Sequence, residues 1–217
     1  MASTPAREVG IARLVQKGPS APVAAAVTTD EIYKRYLDKA IKEILRLEHE
    51  VAEAAGGAPV AQPTGHPLGT IFLVKYGPQG QELQEGVAFH GRAGHALKRS
   101  LERLRVDPRE VFGTNCVKFA GADLDACRSW LKRELRIVQP KLLVVMGADT
   151  LEFVNALEFP LGRQLEPTLG ELQRFTPTIE ALVVPDIDSS LDEQAAKTSY
   201  WNAFKPIGEW WSALPPY

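Results

Sequence analysis

The apolar positions of this chain change period along its length, and the changes mark its elements. Between Thr28 and Ala55, the residues Ile32, Tyr33, Tyr36, Leu37, Ile41, Ile44, Leu45, Leu47 and Val51 recur at helical spacing behind a Thr-Thr-Asp start. A long amphipathic helix ending at Gly56–Gly57 is predicted, followed by a Pro/Gly-rich loop to Gly69. Short apolar runs then alternate with stretches of period 3.6. Strands are predicted over Thr70–Tyr76, Val111–Phe119, Lys141–Met146 and Glu180–Pro185. Helices are predicted over Gly94–Leu104, Leu124–Val138 and Ala148–Leu157, with a last helix, or a pair broken at Pro206, over Gln194–Leu214.

Strands separated by helices pair in parallel. The expected fold class is therefore α/β: a three-layer sandwich with a four-stranded parallel sheet, preceded by a helical N-terminal extension. Residues 1–27, rich in Ala, Pro, Ser and Thr, predict a flexible arm, and residues 28–217 a single domain that includes the helix over 28–55. The apolar stripe of that helix favours packing on the domain over recruitment of a partner.

Composition narrows the partners. Lys and Arg number 25 against 27 Asp and Glu, a net charge of −2 that removes the argument for a generally basic nucleic-acid binder. The stretch from Gly91 to Lys141 nevertheless holds a local basic excess (Arg92, Lys98, Arg99, Arg103, Arg105 and Arg109 among it), which can line one side of a DNA groove or simply solvate two helices. Only two cysteines are present, Cys116 and Cys127; they read as reduced thiols of a cytoplasmic protein. No apolar run approaches the ~18 residues of a membrane span, and the N-terminus lacks the pattern of a secretory signal. A monomer with no membrane partner is expected.

Ligands of open parallel sheets bind beyond the carboxyl ends of the strands, so chemistry is sought in Tyr76–Gly94, Asn115–Gly121, Gly147–Asp149 and Pro185–Leu191. These segments contain KYGPQGQELQEGVAFHGRAG (Lys75–Gly94), GTNCVK (Gly113–Lys118) and VVPDIDSSL (Val183–Leu191). In this order and spacing they resemble the uracil-DNA glycosylase superfamily, nearest its iron–sulfur branch, family four. Gly77–Pro78, Gly86, Phe89, Gly91–Gly94, Thr114–Asn115, Lys118, Cys127–Leu131, and Pro185 with Ser190 fall in register with that branch's motifs. The resemblance covers about Thr70 to Leu191. It implies a monofunctional DNA glycosylase that flips uracil, or a related deaminated base, out of single- or double-stranded DNA in bacterial base excision repair.

The chain departs from the family pattern at decisive places. The acid that positions water in relatives aligns with Tyr76, its preceding glycine with Lys75, and the histidine of the last motif with Asp188. Three of the four cluster cysteines are absent, one position being Phe119, so neither an iron–sulfur cluster nor any other metal or organic cofactor is expected.

Cleaving an N-glycosidic bond requires a face to stack the extruded base, a reader for its edge, and help for the charges that develop. What the resemblance implies is Phe89 as the stacking face, with Gly77 and Pro78 in the base pocket, and Asn115 reading the base through its donor and acceptor. The bland alternatives are a core aromatic and a turn-capping Asn. Asp188 is the first choice for the essential polar residue: it can orient water, stabilise the sugar cation, donate as a protonated acid, or only cap the next helix. Tyr76 is the second catalytic candidate, able to bind water or merely to fill the old acid's place. Gln81 and Glu82 replace that acid only if their loop folds inward; otherwise they are solvated. Lys75, His90, Arg92, Lys118, Ser189 and Ser190 are the expected DNA contacts. Leu191 is the expected wedge into the vacated stack, or a staple to the core. The Trp-rich last helix reads as core rather than as a stacking platform. A catalytically silent relative that binds damaged or single-stranded DNA is the alternative function, and a pocket for another damaged base is a third.

Overall fold

The structure is a computed structural model, and it describes residues 28–215; the proposed arm over 1–27 lies outside the described residues. The first helix, α1 (Thr29–Ala55), starts at a reciprocal capping box between Thr28 and Glu31 and stops at Gly56 in the left-handed conformation. Short strand β1 (Thr64–Gly65) precedes the first long strand, β2 (Ile71–Lys75). Then come α2 (Gly80–Glu85), α3 (Arg92–Arg103), β3 (Val111–Asn115), α4 (Leu124–Val138), β4 (Leu142–Met146) and α5 (Ala148–Asn155). The chain finishes with β5 (Leu172–Arg174), β6 (Glu180–Val184), α6 (Gln194–Phe204) and α7 (Pro206–Ser212), the last two divided at Pro206.

Among the described residues the sheet has six strands, in the order β1-β3-β2-β4-β6-β5. The four expected strands form its parallel centre, and β1 and β5 add antiparallel edges. The count of four is therefore corrected. The edge strands are two and three residues long and mostly exposed, too short and too polar to carry a period-2 signal. The second predicted strand also ends early, at Asn115 rather than Phe119, where the Cys116 and Val117 amides turn to the carbonyls of Lys75 and Tyr76.

Alternation along the central strands builds two cores. Phe72, Val74, Leu143 and Val145 pack under α1, α4 and α5. Ile71, Leu73, Leu142 and Val144 pack on the opposite face, under α3, α6 and α7. The C-terminal half of α1 seals the first core through Ile44, Leu47 and Val51, and Trp130 Nε1 donates to Glu50 Oε1 at 3.0 Å across the α1–α4 seam. The chain leaves β2 for β3 on one side, then crosses to β4 on the other. The switch point is thus at the carboxyl end of β2, where Lys75 sits.

Candidate active site

Period 2 decides what the end of β2 presents. Ile71 and Leu73 face the α3/α6 core, so Lys75 follows them to that side and Tyr76 turns to the other. On β3, Val111 lies on the α3/α6 side, and Asn115 falls in the same phase, level with Lys75 in the parallel register. Lys75 is 1% exposed. A buried ammonium is stable only where it is paired, and this one has two carboxylates: Nζ donates to Glu82 Oε2 and to Asp188 Oδ2, each at 2.6 Å.

Glu82 comes from α2, an element absent from the sequence expectations because six residues after a Gly-Pro bend carry little periodic signal. The loop does fold inward. Glu82 is fully buried, and its carboxylate accepts from the Lys75 ammonium, from the Gln79 amide at 2.6 Å and from the Phe89 amide. One side chain therefore ties the end of β2 to the loop that carries Phe89. That loop is strained: Phe89 has φ of 57°, a conformation rare for a bulky residue. Gly94 of the GRAG stretch makes it possible, since a Cβ there would stand 1.8 Å from the Phe89 carbonyl oxygen. The Phe89 ring lies against the backbone of Gly113, where a Cβ would stand 2.8 Å from a ring carbon. The Lys75 ammonium sits over the ring, 5.7 Å from its centroid.

Asn115 completes the group. It is fully buried, and neither its Oδ1 nor its Nδ2 has a hydrogen-bond partner among the described residues. An unmatched buried amide of this kind costs about 1–3 kcal/mol, and both its donor and its acceptor are unused. It does not cap the turn.

Asp188 arrives from the loop after β6. The capping that its position suggested belongs to its neighbour: Asp186 Oδ1 accepts from the Ser189 amide at 2.8 Å, while Asp188 makes no capping bond and serves Lys75. Asp188 is also the member of the group that reaches solvent, with 19% side-chain exposure against 1% for Lys75 and Glu82. It lines a cleft of about 600 Å³ together with Gln81, His90, Arg92, Ser189 and Leu191.

Other expected site residues are placed elsewhere. Tyr76 stands on the opposite face of the sheet, edge-on to Phe153 with ring centroids 6.4 Å apart, in a separate hollow beside Arg128 and Asp149. It is not part of the group around Lys75. Lys118 is corrected from a DNA contact to an interior residue: it is 1% exposed and bound to both oxygens of buried Glu134, at 2.7 and 2.8 Å. Ser190 is buried, its hydroxyl bound to the Asp186 carbonyl. Lys75 too is interior rather than on a DNA-facing surface. Gly77 and Pro78 form the half-buried bend between β2 and α2. Arg92 reaches across the cleft mouth to Asp192 at 2.8 Å and to the Leu191 carbonyl at 3.3 Å.

The family model described as the Uracil DNA glycosylase superfamily matches residues 62–205, the span that holds every element of this group. The chain belongs to the uracil-DNA glycosylase superfamily. Among curated relatives, a type-4 uracil-DNA glycosylase of Archaeoglobus fulgidus is 23% identical over 156 residues, 67% of this chain and 78% of the relative. Type-4 uracil-DNA glycosylases of Sulfurisphaera tokodaii and Pyrobaculum aerophilum are each 30% identical, over 42% and 48% of this chain and about half of their own lengths (45% and 55%).

The iron–sulfur cluster that the type-4 branch implies does not fit these residues. Cluster ligation takes four thiolates, and Cys116 and Cys127 are the only cysteines. Both are fully buried free thiols, and burial pushes both above the ordinary thiol range, away from the thiolate a metal requires. The Phe119 ring packs 6.2 Å from that of Trp130, an apolar contact that offers no ligand.

Proposed function

We propose that this member of the superfamily is a monofunctional DNA glycosylase acting on uracil, with Lys75 and Asp188 in place of the family's histidine and acid. The observation that carries the reading is that the buried Phe89 ring, the unpaired Asn115 amide and the Lys75–Asp188 pair lie at the ends of β2, β3 and β6, behind the cleft that Asp188 lines. Phe89 stacks the extruded base, and Asn115 matches its donor and acceptor to the base edge. Water attacks C1′, the C1′–N1 bond breaks, and the electron pair leaves with the base. The Lys75 ammonium stabilises that anion, which the carboxylate of Asp188 alone would repel. Asp188, at the solvent side of the pair, orients the water, accepts its proton and stabilises the developing sugar cation. Glu82 holds Lys75 and the Phe89 loop in position. His90, Arg92 and Ser189, on the cleft wall, are the proposed DNA contacts, and base excision repair the proposed context.

One observation favours the silent binder instead. The ammonium occupies space over Phe89 where a base would stack, so the base can enter only if Lys75 yields that face. A panel of single-lesion oligonucleotides, single- and double-stranded, decides. Uracil release lost in Lys75→Met and Asp188→Asn supports the enzyme; background release in the unmodified protein with retained DNA binding establishes the binder; release of a different base redirects the substrate.

A further inference from the structure

On the far side of Leu191 from the cleft lies a second hollow of about 440 Å³, between α3 and α6. Leu191 lines both, so the two are continuous across a single half-buried side chain. Their chemistry differs. The cleft is floored by Asp186 and Asp188 and rimmed by Asp192. The second hollow is lined by Arg99, Arg103 and Lys197 with no carboxylate among its lining residues. All three cations are exposed and none forms an ion pair among the described residues, whereas Lys98, one position from Arg99, is drawn to Glu102. Arg103 stacks its guanidinium on the Trp201 ring at 4.4 Å, and Trp201 is half-buried in the wall. The Tyr200 hydroxyl, buried in the same wall, has no hydrogen-bond partner among the described residues.

Unpaired cations beside a stacked guanidinium–indole pair suit a nucleic acid strand. The cations neutralise phosphates, and a base stacks equally on an indole or on an arginine plane, whose in-plane donors stay available. We propose that this groove is a second nucleotide subsite, which holds the single strand flanking the extruded nucleotide, with Leu191 as the divider between the two. Arg99 and Lys197 take the phosphates, and the Arg103–Trp201 pair takes a base without regard to its identity. The inference rests on the DNA-glycosylase reading of the cleft. It gives one half of the last helical pair a task beyond core packing.

The test is binding of a fluorescent, uracil-free single-stranded 15-mer to the full chain across a salt series. Arg99→Ser/Lys197→Ser removes two exposed cations and leaves the Arg103–Trp201 packing intact. We expect affinity to fall about tenfold at low salt and the slope of log K against log salt to flatten by about 1.4, roughly 0.7 per lost single-strand phosphate contact. In a second measurement, the oligonucleotide quenches tryptophan fluorescence in the unmodified protein and much less in Trp201→Phe. If the unmodified protein binds the 15-mer but both variants match it, the subsite is overturned while the cleft reading stands. If the unmodified protein binds no DNA at all, both fall together.

Discussion

Lys75 Nζ donates to Asp188 Oδ2 at 2.6 Å, across a separation of 113 residues. The pair joins the end of the first long strand to the loop after the last. It also explains how two departures from the family pattern coexist. In the proposed reaction a lone carboxylate at position 188 would oppose a departing anionic base, and the Lys75 cation paired with it offsets that.

The pair makes the clearest functional prediction. Lys75→Met keeps much of the side chain's volume but leaves Glu82 buried with only backbone donors. Breaking a buried pair in this way costs about 3–5 kcal/mol of stability. Where the protein remains folded, the rate of uracil release should fall by about 10²–10³, the range seen when one group stabilising developing charge is removed. Asp188→Asn, at a site only 19% exposed but open to the cleft, should cost less stability and as much rate. Urea unfolding and single-turnover release measure the two separately, and a Lys75→Met protein with normal release would remove the ammonium from the mechanism.

Asn115 predicts the opposite relation between stability and function. Both polar atoms of its side chain are buried and unpaired, so Asn115→Leu trades an unsatisfied amide for an apolar group of similar size. Stability should rise by about 1 kcal/mol or stay level, while uracil release falls by several orders of magnitude because the proposed edge reader is gone. A destabilised Asn115→Leu protein with undiminished release would identify Asn115 as a structural residue.

Much of this was legible in the sequence. The four parallel strands, the helix over Leu124–Val138 and the break at Pro206 follow from periods and a proline, signals local to each segment. Phe89 and Asn115 are singled out by motif, and the Phe89 ring packs on Gly113, two residues before Asn115 on the same strand. What was hidden depends on phase and on tertiary pairing. Tyr76 and Lys75 are neighbours in sequence but face opposite sides of the sheet, and only the register of β2 says which one turns toward Asp188. A lysine closing an otherwise apolar strand run, seven residues before Glu82, was the available signal. Lys118 was misplaced because a motif lysine reads as a DNA contact, while its partner Glu134 lies on the inner face of a helix whose polar residues otherwise look solvated.

That pair carries its own prediction. Lys118→Met should destabilise the fold by about 3–5 kcal/mol, because Glu134 is left buried with only the Thr114 hydroxyl as a donor. The salt dependence of DNA binding should not change, since an interior lysine neutralises no phosphate. A reduced slope at unchanged stability would return Lys118 to the DNA surface.

The thiols predict how stability responds to alkali. Burial holds Cys116 and Cys127 above their ordinary range in the folded protein. In the unfolded chain they release protons from about pH 8.5 upward. The unfolded state then binds fewer protons than the native one, so stability falls as pH rises through that value and continues to fall until the native thiols titrate, by up to about 1.4 kcal/mol per pH unit per thiol. Urea midpoints should decline between pH 8.5 and 10, and the decline should be shallower in Cys116→Ala, even though that variant starts lower at pH 7. Equal slopes would show that neither the burial of Cys116 nor its proton controls the alkaline limit.

Leu191 tests whether the divider between the two hollows enters the duplex. It is half-buried against the α3/α6 core, so Leu191→Ala should cost only about 1 kcal/mol of stability. Extruding a base from a duplex requires unstacking worth a few kcal/mol, which a side chain filling the vacancy offsets; a single strand asks far less. Leu191→Ala should therefore slow uracil release from double-stranded DNA about tenfold or more and leave release from a single strand within about twofold. Equal losses on both substrates would mean that Leu191 holds the Asp188 loop in place rather than entering the stack, because misplacing Asp188 slows the chemistry whatever the strand.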